Sequence, residues 1–254
     1  MATKKKIKKV VFLGAKNIGY ACFKTLINQQ AALHYEIIGL ISNEQATLAA
    51  AHSLTKLAEA HQIPVLAHED ELLKLPSFDL LISVQYHRIL KQKHIACAKQ
   101  LAVNLHMAPL PEYRGCNQFS FALINNETHF GTTLHQMDEG VDSGAILFEK
   151  RFKIPEACFV KTLYDKTEKA SIALFKAHLK DLLAKNYKAV PQAKLIAKRG
   201  THYYKRSDIQ AIKQIDLNWD REKIDRHIRA TYFPPYEPPF TLINGTKFYI
   251  QPKP

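Results

Sequence analysis

Short apolar runs alternate with amphipathic helical stretches along the first part of the chain, and this alternation restricts the possible folds more than any other feature. The first run, at 9–14, is followed by apolar side chains at helical spacing over 18–26. Further apolar runs at 36–42 and 78–84 repeat the pattern. Such runs are typical of strands that are buried on both faces of a parallel sheet. We therefore predict an α/β fold with a Rossmann-like, mostly parallel sheet and helices on both faces.

The same periodicity predicts the other elements of a first domain that covers residues 1–185. The predicted helices are 48–60, 117–123 and 160–185, and the predicted strands are 63–66, 101–106, 131–137 and 145–152. The last helix is long and amphipathic, so we place the end of the first domain there.

The C-terminal part of the chain has a weaker pattern. Periodicity fades over 186–207, where basic and polar residues collect, and we interpret this segment as a linker. Residues 208–254 then form a small C-terminal region with a helix at about 220–231 and a β-hairpin turning at Asn244-Gly245, a dipeptide that favours tight turns. So small a region buries little apolar surface alone. We expect it to pack on the first domain or on a second subunit, and we predict a homodimer joined through the hairpin.

Charge and cysteine content narrow the class of protein. The chain has 36 Lys and Arg against 23 Asp and Glu, a formal net charge of +13, which favours a polyanionic partner such as nucleic acid, a phosphorylated metabolite or an anionic membrane. Its four cysteines are scattered without a C-x-x-C pair, as is typical of reduced thiols. No apolar run approaches the roughly 18 residues of a membrane span. We expect a cytoplasmic protein with no membrane partner.

Two glycines, Gly14 and Gly19, follow the first strand at the place where a phosphate-binding loop would lie. Their spacing lacks the G-x-G-x-x-G pattern of dinucleotide-binding folds and has no following Lys-Ser/Thr. A tight turn between strand and helix is the better interpretation, so dinucleotide binding is only weakly supported.

Polar residues concentrate over 104–144, at predicted strand ends and turns. Asn104 and His106 stand two apart on an extended strand and therefore face the same side. An amide donor beside an imidazole meets the two needs of acyl transfer, since it can stabilise an oxyanion and move a proton. Asp142, in a glycine-flanked turn, would orient the imidazole or hold a water that relays its proton. The alternative is that each residue only satisfies backbone groups at a strand end or turn.

Four short motifs in this part of the chain carry a resemblance to a known family. They are Asn104-Leu-His106, Leu110-Pro-x-Tyr-Arg-Gly115, Gly131-x-Thr-x-His-x-Met-Asp138 and Gly140-x-Asp142-x-Gly144. In combination they resemble the signature of the folate-dependent formyltransferases. The residues at 104–119, with 233–237 near the end, are most similar to those of the N-formyltransferases that act on dTDP-linked amino-dideoxy sugars.

The resemblance implies transfer of a formyl group from 10-formyltetrahydrofolate to the amine of a sugar nucleotide, dTDP-4-amino-4,6-dideoxyglucose, for cell-surface polysaccharide such as lipopolysaccharide O-antigen. In that reaction His106 would take the proton of the amine, and Asn104 with protonated His106 would donate hydrogen bonds to the oxyanion. Asp142 would fix the imidazole and favour its charged form. The three-amino isomer of the sugar remains an alternative acceptor.

The resemblance also assigns two sets of residues to the ligands. The folate set is Gln85, Tyr86, His87, Arg88, Ile89, Leu90, Asp138, Glu139 and Gly140. The sugar-nucleotide set is Met107, Pro109, Tyr113, Arg114, Gly115, Asn117, Gln118, Lys205, Tyr232, Phe233 and Tyr236. A diphosphate needs cations and a base favours an aromatic face, which are the reasons for including Arg114 and the aromatic residues of the C-terminal region.

Three further functions are compatible with the sequence. A net charge of +13 would suit methionyl-tRNA as the acceptor, although the C-terminal region is short for an RNA-binding domain. The same folate could be hydrolysed by water, and a non-catalytic module of this fold could bind nucleic acid.

The histidines lack the short spacing of a zinc site, so we predict no metal. We expect small-molecule partners, folate and sugar nucleotide, and no nucleic acid.

Overall fold

The protein is described by a computed structural model that covers residues 7–42 and 53–252. The strands are β1 (Lys8–Gly14), β2 (Tyr35–Ser42), β3 (Val65–Leu66), β4 (Phe78–Val84), β5 (Ala98–His106), β6 (Tyr113–Gly115), β7 (His129–Gln136), β8 (Ile146–Lys153), β9 (His202–Tyr204), β10 (Phe240–Ile243) and β11 (Thr246–Tyr249). The helices are α1 (Lys16–Leu33), α2 (Leu54–Ala60), α3 (Gln92–Ile95), α4 (Gln118–Ile124), α5 (Val160–Ala184), α6 (Ala193–Arg199), α7 (Ile209–Lys213) and α8 (Arg221–Thr231). Two 3₁₀ turns lie at Glu69–Lys74 and Arg206–Asp208.

A seven-stranded sheet forms the centre of the molecule, in the order β3-β2-β1-β4-β5-β7-β8. The first five of these strands pair in parallel, and β7 and β8 extend the sheet in antiparallel fashion. Side chains of β1 alternate between two apolar clusters, since Phe12 packs with α1 and α5 whereas Leu13 packs on the other face with Leu72 and Ile95. The predicted Rossmann-like, mostly parallel sheet with helices on both faces is confirmed.

One predicted helix lies partly outside the described residues, and one predicted strand is shorter than the sequence pattern suggests. Helix α2 begins at Leu54, where the Ser53 hydroxyl accepts a hydrogen bond from the Lys56 amide. The predicted start of this helix, at 48–52, lies outside the described residues. Strand β3 is only two residues long, because Pro64 precedes it and has no N–H to donate to a neighbouring strand.

The segment 186–207, interpreted as a linker from its fading periodicity, contains regular secondary structure. It contains α6 and β9, and β9 pairs in parallel with β6 beside the centre of the molecule. Val190 also exchanges two backbone hydrogen bonds with Ile146 of β8. Periodicity does not reveal α6 because none of its residues is buried, so no apolar stripe marks it.

The C-terminal region packs on the rest of the chain through α8, which contacts α4. Ala230 and Phe233 join an apolar cluster that includes Phe121 and Leu163. The predicted hairpin is present as β10 and β11, with positive φ at both turn residues of the Asn244-Gly245 dipeptide. Within the described part of the chain, we find no helix with the length and apolar character needed to cross a membrane.

Candidate active site

The paired strands β5 and β7 present four polar side chains on one face of the sheet. Asn104 lies directly opposite His135, and His106 lies opposite Thr133. Directly opposed residues of an antiparallel pair point to the same face, and so do residues two apart on one strand. The sequence prediction that Asn104 and His106 share a face therefore holds. The same register adds His135 to that face, and we call Asn104, His106, His135 and Asp142 the polar platform.

Asp142 reaches the platform from the turn between β7 and β8. It has a left-handed backbone, with φ 51°, and its neighbour Gly144 lies so close to the Gln136 carbonyl that a Cβ would overlap the oxygen. The Gly115 amide donates to Asp142 Oδ2 at 3.0 Å. Gln192 Nε2 donates to the carbonyl oxygens of Asp142 and Gly144, at 2.9 and 2.8 Å. The Gly115 amide thus holds the carboxylate, and Gln192 holds the backbone of the turn that carries it.

One carboxylate oxygen joins the three residues that the sequence singles out. Asn104 Nδ2 lies 3.4 Å from Asp142 Oδ1, and His106 Nδ1 lies 3.5 Å from the same oxygen. The side chains of His106 and Asp142 are only 6% and 12% exposed. The structure therefore brings an amide, an imidazole and a carboxylate together at a largely buried position.

The surroundings of His106 determine which of its nitrogens is available as a base. Its Nε2 lies 2.7 Å from the Tyr113 carbonyl oxygen, which only accepts hydrogen bonds, so Nε2 carries the proton and Nδ1 presents a lone pair. Burial lowers the pKa of His106, an effect that the Asp142 charge partly opposes and that nearby His135 reinforces. His106 is accordingly a neutral imidazole near neutral pH.

Asp142 remains charged under the same conditions. Its burial alone would raise the pKa of the carboxyl group. The imidazoles of His106 and His135 and the Gly115 amide outweigh that effect and hold the pKa of Asp142 well below its usual range. A fixed negative charge therefore faces the neutral imidazole.

The predicted folate residues lie in two loops that pack on the same apolar cluster, through Tyr86 in one and Met137 in the other. Gln85 has a left-handed backbone and accepts a hydrogen bond from Lys16 Nζ at 3.1 Å. His87 contacts the Tyr86 ring edge-on, with centroids 4.9 Å apart. The sheet thus places both loops near one edge.

Glu69 anchors the first of these loops. The Tyr86 hydroxyl donates to this carboxylate at 3.0 Å, and Arg88 pairs with it at 3.1 Å. Ile89 is 72% exposed, whereas Leu90 is buried in the core. The Leu90 side chain packs beneath the loop, and the contact of this residue with folate stays a prediction.

Asp138 closes the second loop. It accepts hydrogen bonds from the Gly140 amide at 3.1 Å and from the Ser143 hydroxyl at 2.6 Å. Glu139 is exposed at the tip. These two hydrogen bonds stabilise the turn that contains Asp142.

The predicted sugar-nucleotide residues divide into a buried group and an accessible group. Met107 and Pro109 are buried, and so is Tyr113, whose hydroxyl donates to Glu127 at 2.8 Å and whose ring stacks on Tyr204. The contact of these three residues with the sugar nucleotide stays a prediction. The structure shows one link from them to the site, because the Tyr113 carbonyl oxygen accepts a hydrogen bond from His106 Nε2. Gln118 is also buried, at the start of α4.

Cations gather on the accessible side. Arg114 Nε donates to the Val141 carbonyl at 3.0 Å, so β6 is tied to the Asp142 turn. Asn117 donates to the carbonyl oxygens of Lys205 and Arg206, at 3.3 and 3.1 Å. Burial lowers the pKa of Lys16, and the charge of Arg206 lowers it further.

The aromatic residues of the C-terminal region do not form one exposed surface. Phe233 packs against Tyr164, with ring centroids 5.6 Å apart, and joins the core. Tyr232 is half-buried, whereas Tyr236 is 62% exposed and meets Phe233 edge-on. Only Tyr236 among these three offers most of a ring to a ligand.

A family model described as formyl transferase matches residues 8–179, which include the whole polar platform. The chain belongs to the formyl transferase family. It is a formyl-transferring enzyme, as the resemblance implies.

Known relatives of this formyltransferase have different acceptors. The GDP-perosamine N-formyltransferase of Brucella melitensis is 30% identical over 202 residues, which are 78% of this chain and 75% of that protein. The methionyl-tRNA formyltransferase of Staphylococcus epidermidis is 26% identical over 249 residues, 93% of this chain and 76% of that protein.

Solved structures of sugar-modifying enzymes have the same fold as this formyltransferase. An N-formyltransferase from Helicobacter canadensis in complex with folinic acid and dTDP-3-aminofucose has a TM-score of 0.77 at 25% identity, covering 95% of this chain and 86% of that one. A 4-N formyltransferase from Francisella tularensis has a TM-score of 0.79 at 20% identity, covering 96% of both chains, and shows the fold alone.

Sequence reasoning does not identify three residues that shape the site of this formyltransferase. His135 stands in an alternating strand, but only the register with β5 reveals that it opposes Asn104. Lys16 lies in the turn after β1, where the weak glycine spacing is the only signal. No local sequence pattern marks Gln192, which lies in the segment interpreted as a linker. Among the described residues, no group of three or more His, Cys, Asp or Glu is arranged to hold a metal.

Proposed function

We propose that this formyltransferase moves a formyl group from 10-formyltetrahydrofolate to the amine of a nucleotide-linked amino-dideoxy sugar, and that its acceptor is dTDP-4-amino-4,6-dideoxyglucose. The observation that carries the proposal is the meeting of Asn104, His106 and Asp142 at one carboxylate oxygen in a chain of this family. The Brucella relative and the Helicobacter structure support an amino-sugar acceptor. The same proposal includes two further points. The enzyme acts in the cytoplasm, and its product is used for cell-surface polysaccharide such as O-antigen.

His106 is the group that moves the proton. When bound, 10-formyltetrahydrofolate supplies the formyl carbon, which forms a new C–N bond to the acceptor amine while its bond to the folate nitrogen breaks. His106 takes the amine proton at Nδ1, because Nε2 already carries a proton that is bonded to Tyr113. It returns this proton to the departing folate nitrogen, so the imidazole ends the reaction neutral.

Asp142 and Asn104 respond to the charges that develop. The imidazolium of His106 forms 3.5 Å from the Asp142 carboxylate, which compensates the new positive charge without taking a proton itself. Asn104 donates an amide hydrogen to the formyl oxygen as it becomes negative, an effect worth about 3 to 4 kcal/mol for a well-placed donor. Its contact to Asp142, at 3.4 Å, is long for a hydrogen bond and costs little to exchange for the formyl oxygen.

Binding of the two substrates uses the surfaces beside the platform. The loops at 85–90 and 138–142 present backbone groups and Ile89 to the flat, hydrogen-bonding ring of the folate. Arg114, Lys16 and Arg206 suit a diphosphate, because cations pair strongly with its oxygens. The exposed ring of Tyr236 suits the base.

The test is a comparison of acceptors with 10-formyltetrahydrofolate as donor. Initial rates would be measured with dTDP-4-amino-4,6-dideoxyglucose, its three-amino isomer, GDP-perosamine, methionyl-tRNA and no acceptor. We expect the highest kcat/KM with the first. Preference for another sugar nucleotide would replace the proposed acceptor, and formate release without any acceptor would favour a hydrolase.

Methionyl-tRNA is the second candidate acceptor, because the Staphylococcus relative matches 93% of this chain. The match covers 76% of that relative, and the family model ends at residue 179 of this chain. Rapid use of methionyl-tRNA with no reaction on any sugar nucleotide would overturn the sugar proposal.

A homodimer through the hairpin completes the proposal. Four large apolar side chains of β10 and β11 are exposed by 44–54%. They are Leu242, Ile243, Phe248 and Tyr249. A two-stranded hairpin is marginally stable alone, so a second copy of this chain would bury that surface. Light scattering after size-exclusion chromatography is expected to give twice the 29.0 kDa chain mass, and a single-chain mass at micromolar concentration would refute the dimer.

A further inference from the structure

We infer that His135 is a positioning residue for formyl transfer, because its Nε2 lone pair holds the amide nitrogen of Asn104 in the orientation that the reaction needs. This inference rests on the proposed function. It concerns a buried histidine that touches neither predicted substrate set but lies against the residue proposed to stabilise the oxyanion.

The contacts of His135 fix its tautomer. Nδ1 lies 2.7 Å from the Gln136 carbonyl oxygen, which only accepts hydrogen bonds, so this contact favours the tautomer that carries its proton on Nδ1. Nε2 then has a lone pair and no hydrogen. The side chain is only 3% exposed and is held on β7 directly opposite Asn104. The ring therefore presents an acceptor to its cross-strand neighbour.

Two acceptors determine how the Asn104 amide is oriented. Nδ2 lies 3.2 Å from His135 Nε2 and 3.4 Å from Asp142 Oδ1. If the amide were reversed, its carbonyl oxygen would face a lone pair and a carboxylate, which repel it. The nitrogen therefore points into the platform as a donor. Without His135, only the longer contact to Asp142 would favour this orientation.

A histidine in a sheet interior also has a plainly structural use, which here would be the hydrogen bond from Nδ1 to the Gln136 carbonyl. Two substitutions separate the roles, because each keeps one of the two nitrogen positions. His135→Asn places an amide N–H near the position of Nδ1 but does not reach Asn104. His135→Gln places an amide oxygen near the position of Nε2, where it accepts from Asn104.

We expect His135→Asn to lower kcat about 10- to 100-fold, which is less than the 10²–10³-fold cost of removing an oxyanion donor outright. KM values for both substrates should change less than about twofold, since no binding contact is lost. His135→Gln should recover most of kcat. The reverse order, with Asn active and Gln inactive, would show that His135 only anchors the strand and would overturn the inference. Melting temperatures of both variants confirm that they fold.

A double-mutant cycle with Asn104→Ala tests the route of the effect. If His135 acts through Asn104, His135→Asn adds no further loss of kcat in the Asn104→Ala background. A loss that multiplies in full in that background would mean that His135 acts independently, which contradicts the inference.

A third measurement does not depend on the acceptor. ¹⁵N NMR of the histidine rings in the resting protein should show His135 protonated on Nδ1 and not on Nε2. If no amino-sugar acceptor is formylated but this tautomer is found, the proposed function fails while the positioning of Asn104 stands. If Nε2 carries the proton, the inference fails whatever the acceptor is.

Discussion

The polar platform and the cation and aromatic surface beside it are built in contrasting ways. His106, His135 and Asp142 have side chains no more than 12% exposed, and both imidazoles lie 3.5 Å from Asp142 Oδ1. By contrast, Tyr236 is 62% exposed, and Lys205 and Arg206 are held through their backbone carbonyls. The residues proposed for the chemistry are thus buried on strands and a turn held by hydrogen bonds, whereas residues proposed to bind the nucleotide are more exposed.

Because of this difference, we expect substitutions in the polar platform to change kcat and substitutions in the exposed surface to change KM. Groups that act on the reacting atoms need fixed geometry, and buried hydrogen bonds supply it. Groups that only hold the nucleotide contribute binding that is similar before and during the reaction. Substitutions in the two regions should therefore separate kinetically.

The largest effect is expected at His106. His106→Ala removes the base, so we expect kcat to fall by about 10²–10⁴-fold, while affinity for the nucleotide changes little. Steady-state kinetics with a separate measurement of nucleotide binding checks this. His129→Ala, at the exposed start of β7, is the matched control and should leave kcat unchanged. Comparable turnover in the His106 variant would remove this residue from the chemistry.

Asp142→Asn should have the next largest effect and should also move the pH profile. The neutral form of His106 is the active one, so kcat/KM rises with pH through the His106 pKa. Because burial lowers that pKa below the usual 6.5, the acid limb of the wild type lies below pH 6.5. The Asp142 charge raises the pKa, so its removal shifts the limb further to acid pH.

The same variant should lower kcat about 100-fold, at the low end of general acid–base contributions. Profiles of kcat/KM against pH for Asp142→Asn and for the distant Asp181→Asn provide the comparison. An acid limb that moves to higher pH in Asp142→Asn would contradict the assigned electrostatics, and equal shifts in both variants would remove Asp142 as the cause.

The contrast between the regions also explains what the sequence can predict. Strand alternation is local, so it places Asn104 and His106 on one face, and a turn rich in glycine marks Asp142. The buried positions of Tyr113 and Met107 depend on which elements cover them, which no local pattern contains. Gln192 reaches the Asp142 turn across 50 residues of chain.

The same limit applies to the fold. Runs of apolar residues predict the parallel strands because these are buried on both faces. Helix α6 has no buried residue and β9 has only three residues, so both are invisible to periodicity although they stand beside the site. Hydrophobic periodicity does not reveal the secondary structure of segments that are held by hydrogen bonds rather than by an apolar stripe.

Gln192→Ala tests whether this apparent linker belongs functionally with the platform. The substitution leaves the buried carbonyls of Asp142 and Gly144 without their donor, which should lower the free energy of unfolding by about 1–3 kcal/mol. Because the turn that carries Asp142 loosens, kcat should fall about tenfold, since small misplacements of reacting groups slow catalysis. The acid limb should stay where it is, since the Asp142 charge remains.

Denaturant unfolding and kinetics of Gln192→Ala, with the exposed Gln210→Ala as control, provide the measurement. Loss of stability with unchanged kcat would mean that the segment 186–207 supports the fold but not the site. The geometry of the polar platform would then depend only on β5, β7 and the turn that contains Asp142.

The smallest effect is expected at Tyr236. If the base of the nucleotide stacks on this ring, Tyr236→Ala loses about 1 kcal/mol of binding, at the low end for a base on an aromatic side chain. That loss raises KM for the sugar nucleotide about fivefold and leaves kcat and KM for folate unchanged, because the contact is the same throughout the reaction. Leu217→Ala, at a side chain 58% exposed in the same C-terminal region, is the control and should not change KM. A fall in kcat at Tyr236 would break the division between the two regions, since an exposed side chain would then be acting on the reacting atoms. An unchanged KM would instead place the base elsewhere and leave the aromatic residues of the C-terminal region with packing as their role.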